Sequence, residues 1–166
     1  VSSKKTHIIV VSNHGLWVSE DAGLNFESIE HNAIFRNFAP HPDNNEWVLG
    51  LGMRPACNEG SDDCAFDLYL STDFGVSWGV IRTYVEMYDW HNTDLNSNTI
   101  VVWEHAVKRG NMFRDRTHLV VSISHDLFVS QPRVISTQVA GFLVTEEHIF
   151  IAKRVCLIHK YLLLGR

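Results

Sequence analysis

Two segments of this chain carry the same polar turn. The first reads Leu16-Trp17-Val18-Ser19-Glu20-Asp21-Ala22-Gly23-Leu24-Asn25-Phe26, the second Leu68-Tyr69-Leu70-Ser71-Thr72-Asp73-Phe74-Gly75-Val76-Ser77-Trp78. Both reduce to a short apolar run followed by S-x-D-x-G-x-x-(F/W), and Ser19 and Ser71 lie 52 positions apart. A worn third copy, Val120-Val121-Ser122-Ile123-Ser124-His125-Asp126-Leu127-Phe128, follows at a spacing of 53. It keeps Ser124 and Asp126 but has Phe128 in the glycine position. Self-similarity at a fixed period marks a chain built from stacked, similar units.

Between the boxes lie short runs rich in Val, Ile, Leu and aromatics: His7–Ser12, Glu46–Gly50, Phe66–Ser71, Thr99–His105, His118–Ile123 and His148–Ala152. They read as strands. Turn clusters separate them, at Asn13-His14-Gly15, at Pro40–Asn45 and at Thr93–Asn98. No stretch sustains a 3.6-residue apolar period for three turns, so no long helix is expected. About four strands fit each period, which is the arithmetic of a β-propeller blade. The fold class expected is all-β, a propeller fragment of about three blades of antiparallel strands.

The box has a physical reading as a folding device. The Ser hydroxyl and Asp carboxylate bond to backbone groups of their own turn. Glycine allows a positive φ that other residues resist. The terminal Trp78 or Phe26 packs between neighbouring sheets. Without glycine at position 128 the third hairpin is expected to be irregular. Asp21 and Asp73 recur on different blades, whereas cooperating carboxylates of a hydrolase sit about 5–10 Å apart. No catalytic residue is therefore assigned.

Other chemistry finds little support. Residues 1–152 carry ten basic and nineteen acidic side chains, a net of −9, which argues against a nucleic-acid grip. The last fourteen residues carry +4 and no acid. The ten His form no H-x-x-x-H or H-E-x-x-H pattern, so no metal site and no cofactor is assigned. His91 and His105 read as surface or loop residues. Cys57 and Cys64 enclose a polar loop; a local disulfide suits a lumenal compartment, and two free thiols are the alternative. Glu59, Asp62, Asp63 and Asp67 crowd the same stretch but lack the spacing of a calcium loop. The longest apolar stretch, Val155 to Gly165, is too short to span a bilayer.

The run from Cys57 through Cys64-Ala65-Phe66-Asp67-Leu68-Tyr69-Leu70 into the second box resembles the sortilin family of vacuolar protein-sorting receptors. So do Thr83-Tyr84-Val85-Glu86-Met87-Tyr88-Asp89-Trp90 and the opening Gly15–Gly23. The resemblance covers roughly residues 7–152. It implies a ten-bladed lumenal propeller on a single membrane span, which binds protein or peptide cargo in the Golgi and passes it to endosomes. Residues 1–153 are then a partial propeller: one partial blade to about Glu30, two near-complete blades to about Gln131, and the start of another. Residues 154–166 form an atypical tail, suspected to be a truncation artefact. The span is absent from the fragment. Two apolar sheet faces would be left open, so the fragment is expected to fold poorly alone. The box itself is shared with sialidases and some polysaccharide hydrolases. A propeller glycoside hydrolase and an inert scaffold are the alternatives.

Overall fold

The computed structural model describes residues 6–12, 15–54, 57, 64–91, 98–107, 118–145 and 147–153. The described residues are all-β, with thirteen strands in four antiparallel sheets. The first sheet holds β1 (Ile8–Ser12), β2 (Gly15–Ser19) and β3 (Glu27–Ile29). The second is a four-stranded meander of β4 (Ile34–Pro40), β5 (Val48–Met53), β6 (Phe66–Ser71) and β7 (Gly79–Thr83). The third repeats it with β8 (Val85–Trp90), β9 (Ile100–His105), β10 (Leu119–Ser124) and β11 (Arg133–Thr137). The fourth pairs β12 (Val139–Val144) with β13 (Ile149–Lys153). This is the blade order of a β-propeller fragment. The turns at 13–14 and 93–97, the acids Glu59, Asp62 and Asp63, and the tail 154–166 lie outside the described residues.

Register shows how closely the sheets repeat. The box serines Ser19, Ser71 and Ser124 face Ile8, Val48 and Ile100 across their ladders. Thus β1, β5 and β9 are equivalent, and each box joins the last two strands of its sheet. The first strands also match: β4, β8 and β12 each carry a bulge, after Phe35, Val85 and Val139. One left-handed residue, Tyr84 (φ 60°) or Gln138 (φ 56°), turns the chain from the second sheet into the third and from the third into the fourth.

Burial explains why these sheets stack. In β5, β9 and β10 nearly every residue is buried, on both faces. A strand buried on both faces needs a neighbour on each side. Leu16, Phe35 and Tyr69 join the first sheet to the second, with Ile9, Ile29 and Trp78 packed around them. Leu49, Leu51, Leu68, Val85, Tyr88 and Trp90 join the second to the third. Val101, Trp103, Val121 and Val139, with Phe142 and Ile151, join the third to the fourth.

Directional bonds lock the second sheet to the third. Tyr88 Oη donates to the Asn37 and Leu49 carbonyls at 3.2 and 3.3 Å. Trp90 Nε1 donates to the Ala39 carbonyl at 3.0 Å. Arg82 on β7 grips Glu104 on β9 with two charge-assisted bonds of 2.6 and 2.7 Å, and Ser122 Oγ donates to the same carboxylate at 2.8 Å. Glu104 is only 2% exposed. Two positions depart from the sequence reading. His91 and His105 are buried, not surface or loop side chains. They sit at the ends of β8 and β9, and His105 Nε2 lies 3.3 Å from the buried Glu86.

Removing one partner of a buried pair leaves the other charge uncompensated, at a cost of about 3–5 kcal/mol. Arg82→Met is therefore expected to lower the chemical-denaturation midpoint sharply. The double variant Arg82→Met with Glu104→Leu should recover part of the loss.

Candidate functional site

The residues that the sequence singles out form three superimposable turns. In the first, Ser19 Oγ donates to Asp21 Oδ1 at 2.9 Å and accepts from the Gly23 N–H at 2.9 Å. Asp21 accepts from the Asn25 backbone N–H and from Asn25 Nδ2. In the second, Ser71 Oγ donates to Asp73 at 2.8 Å and accepts from Gly75 at 2.7 Å, while Asp73 accepts from Ser77 N–H and Oγ. Each motif closes its turn through i+2 and i+4 contacts, so nearby sequence suffices to build it.

The third turn corrects an expectation. It is not irregular. Ser124 Oγ donates to Asp126 at 2.9 Å and accepts from the Phe128 N–H at 2.8 Å, and Asp126 accepts from Ser130. Phe128 adopts φ 64° where Gly23 and Gly75 stand at 89°. A left-handed residue other than glycine costs about 1–2 kcal/mol. What offsets the cost is contact: Phe128 packs against the junction of the second and third sheets, under the Arg82 guanidinium at 5.4 Å.

The box aromatics part company. Trp78 donates from Nε1 to the Gly75 carbonyl at 2.8 Å. Its ring lies 4.7 Å from Phe35 and 5.5 Å from Phe38, at the junction with the first sheet. Phe26, expected between sheets, is instead 47% exposed. Among the described residues no sheet and no first strand lies beside it.

The carboxylates are occupied by their own turns. Bonds from Asn25 and Ser19 hold the Asp21 carboxyl down at about 2. For Asp73 burial pushes upward, but the bonds from Ser77 and Ser71 outweigh it and the net shift is down. Ser130 and Ser124 hold Asp126 below its ordinary value. Asp67 is also engaged. It takes Arg54 bidentately at 2.7 and 2.9 Å and accepts from the Tyr84 N–H at 3.2 Å. Arg54 stacks on the Tyr84 ring at 4.3 Å. Sequence reasoning missed this clasp, because its members are 13 and 17 residues apart. Cys57 and Cys64 are joined in a disulfide directly beside it.

The structure adds a cleft of about 200 Å³ between the first two sheets, lined by Val11, Leu16, His31, Asn32, Ile34 and Phe35. His31 accepts the Ala33 N–H at Nδ1 and packs against Phe35 and Tyr69. Burial lowers its basicity. Only the segment's position between β3 and β4 brings His31 there, and no motif in the sequence marks it.

Comparison with known proteins agrees with this geometry. A family model described as Sortilin, neurotensin receptor 3, matches residues 2–160. The chain belongs to the sortilin/Vps10 family. Among its relatives are proteins named vacuolar protein sorting/targeting protein 10. That of Mycosarcoma maydis is 24% identical over 120 residues, 69% of this chain and 8% of the relative. That of Schizosaccharomyces pombe is 25% identical over 118 residues, again 69% and 8%. That of Schizosaccharomyces japonicus is 22% identical over 159 residues, 90% of this chain and 10% of the relative. The chain thus spans about a tenth of the length of the relatives it matches.

Three outcomes are expected. Phe128→Gly should be less destabilising than Phe128→Ala, by about 1 kcal/mol in thermal or urea unfolding, because alanine keeps the left-handed strain while both lose the ring. The box carboxylates have lowered folded-state values, so their contribution is complete above the unfolded value near 3.8 and is lost as pH falls through the folded values, about 2 for Asp21. Stability measured from pH 5 to pH 2 should drop less steeply in a variant with all three aspartates changed to Asn. His31 has the opposite charge type. Its neutral form is favoured in the fold, so its contribution is complete above about 6.5 and declines as pH falls below that. His31→Gln should flatten that part of the profile.

Proposed function

We propose that this chain is part of the lumenal, cargo-binding propeller of a sorting receptor that carries proteins or peptides from the Golgi to endosomes. The observation that carries this reading is the family match along residues 2–160, on a chain folded as successive box-bearing blades. The relatives are named for vacuolar protein sorting and targeting. The disulfide fits an oxidising, lumenal compartment. The whole receptor would be held by a single membrane span outside these residues, and cargo would be met by loops and strand edges of the blades. In this reading Ser19, Asp21, Gly23, Phe26, Ser71, Asp73, Gly75, Trp78, Ser124 and Asp126 are structural. Residues 1–153 are the partial propeller, and 154–166 are a tail of different character.

Non-enzymatic binding is favoured over glycoside hydrolysis by the state of the carboxylates. Asp21, Asp73 and Asp126 each spend their oxygens on their own turns. A hydrolase needs a carboxyl group aimed at a substrate.

The test is a sorting assay on the gene that encodes this chain. Its disruption should divert a soluble vacuolar or lysosomal hydrolase into the medium, and the intact gene should restore retention. Undiminished retention in the disrupted strain would overturn the reading.

A further inference from the structure

The connectors between successive sheets can be aligned through the strand register. Ile29, Arg82 and Ser136 stand opposite Leu16, Leu68 and Val121, each three positions before its box serine. Phe35, Val85 and Val139 open the following sheets opposite Gly52, Glu104 and Lys153. From Arg82 to Val85 and from Ser136 to Val139 is three positions, but from Ile29 to Phe35 it is six. The first connector is longer by three residues, and the added length falls around His31, Asn32 and Ala33.

The corresponding place in the next junction is filled. There Arg82, Glu104 and Ser122 form the buried ion-pair network, with the guanidinium over the Phe128 ring. By register the first junction has Ile29, Gly52 and Tyr69 instead, none of them charged. Gly52 lets the longer connector close in, since a Cβ there would come within 2.9 Å of both Ala33 Cβ and the Tyr69 ring. What remains is a second cavity, of about 420 Å³, lined by Glu30, His31, Asn32, Ala33 and Tyr69. Small-ligand sites span about 300–1,000 Å³.

The polar groups of this cavity are available. His31 Nδ1 accepts the Ala33 N–H, so the neutral ring carries its proton on Nε2. Tyr69 is only 8% exposed. Among the described residues neither its hydroxyl, nor His31 Nε2, nor the Glu30 carboxylate has a hydrogen-bond partner. Glu30 is the one full charge in the lining, which disfavours an anion. Asp67 and Arg54, which also act on Tyr69, neutralise each other. A carboxylate, an amide oxygen and a phenol oxygen beside aromatic rings suit a guanidinium, which is planar, rich in donors and stacks on rings. The chain itself uses this combination twice. Arg54 lies between Asp67 and the Tyr84 ring, and Arg82 between Glu104 and the Phe128 ring.

We propose that the cavity at the 30–33 connector binds one arginine side chain of an extended peptide. Glu30 takes the guanidinium, Tyr69 supplies ring and hydroxyl, and His31 Nε2 donates to a peptide carbonyl. This binding chemistry goes beyond the sorting role and can fail while the sorting assay succeeds, because it is read by direct titration.

The test titrates the full chain with the capped tripeptide acetyl-Ala-Arg-Ala-amide and follows backbone amide resonances. Saturable shifts are expected at Glu30–Ala33 and Tyr69, with a Kd below about 1 mM. The lysine peptide should bind more weakly, and the peptides with citrulline or glutamate should not saturate. Glu30→Gln, at an exposed position, should keep the parent spectrum and weaken the arginine peptide by about threefold or more. Tyr69→Phe keeps the ring and should weaken it as well. No saturation up to about 10 mM, shifts centred on other residues, or equal affinity for the citrulline peptide would overturn the proposal. Unchanged affinity in Glu30→Gln would overturn it too.

Discussion

Each complete sheet of this chain is apolar on both faces, and that constraint governs everything else. A sheet with one wet face can stand against a single partner. One such as β8–β11 must be sandwiched, because β9 and β10 bury residues towards the second sheet and the fourth alike. The architecture is therefore a row of sheets, each the wall of the next, and the identity of any one blade is tied to its neighbours.

Apolar contact alone leaves the sheets free to slide. Directional groups remove that freedom at the junction of the second and third sheets. The guanidinium of Arg82 meets Glu104 as a fork, the Tyr88 hydroxyl and Trp90 indole N–H reach carbonyls of the preceding sheet, and Phe128 closes over Arg82. Buried ion pairs are weak sources of net stability but demand one geometry. The Arg54–Asp67–Tyr84 clasp acts in the same way where the chain crosses between sheets, with the Cys57–Cys64 bond alongside it.

The boxes work on a smaller scale. Serine and aspartate saturate the turn from within, so the hairpin needs little from its surroundings. That self-sufficiency explains why the third copy tolerates Phe128. The hydrogen bonds survive the loss of glycine, and the ring repays its backbone strain through contacts at the neighbouring junction.

What the amino-acid order determined by itself was local. Ser71, Asp73, Gly75 and Ser77 act on one another within six residues, so the motif, its period and the all-β class were legible. The strands around Phe66–Ser71 and Ile100–His105 were legible because both of their faces are apolar. Strands β4, β7 and β11 were not, since their mixed polarity makes sense only beside a neighbour. Tertiary structure alone decided the rest. Arg82 finds Glu104 across 22 residues and Arg54 finds Asp67 across 13. His91 and His105 are buried and Phe26 is 47% exposed, which their place in the sequence did not show. Which partner a charge or ring meets depends on how sheets stack, and stacking is a property of the assembled faces rather than of any segment.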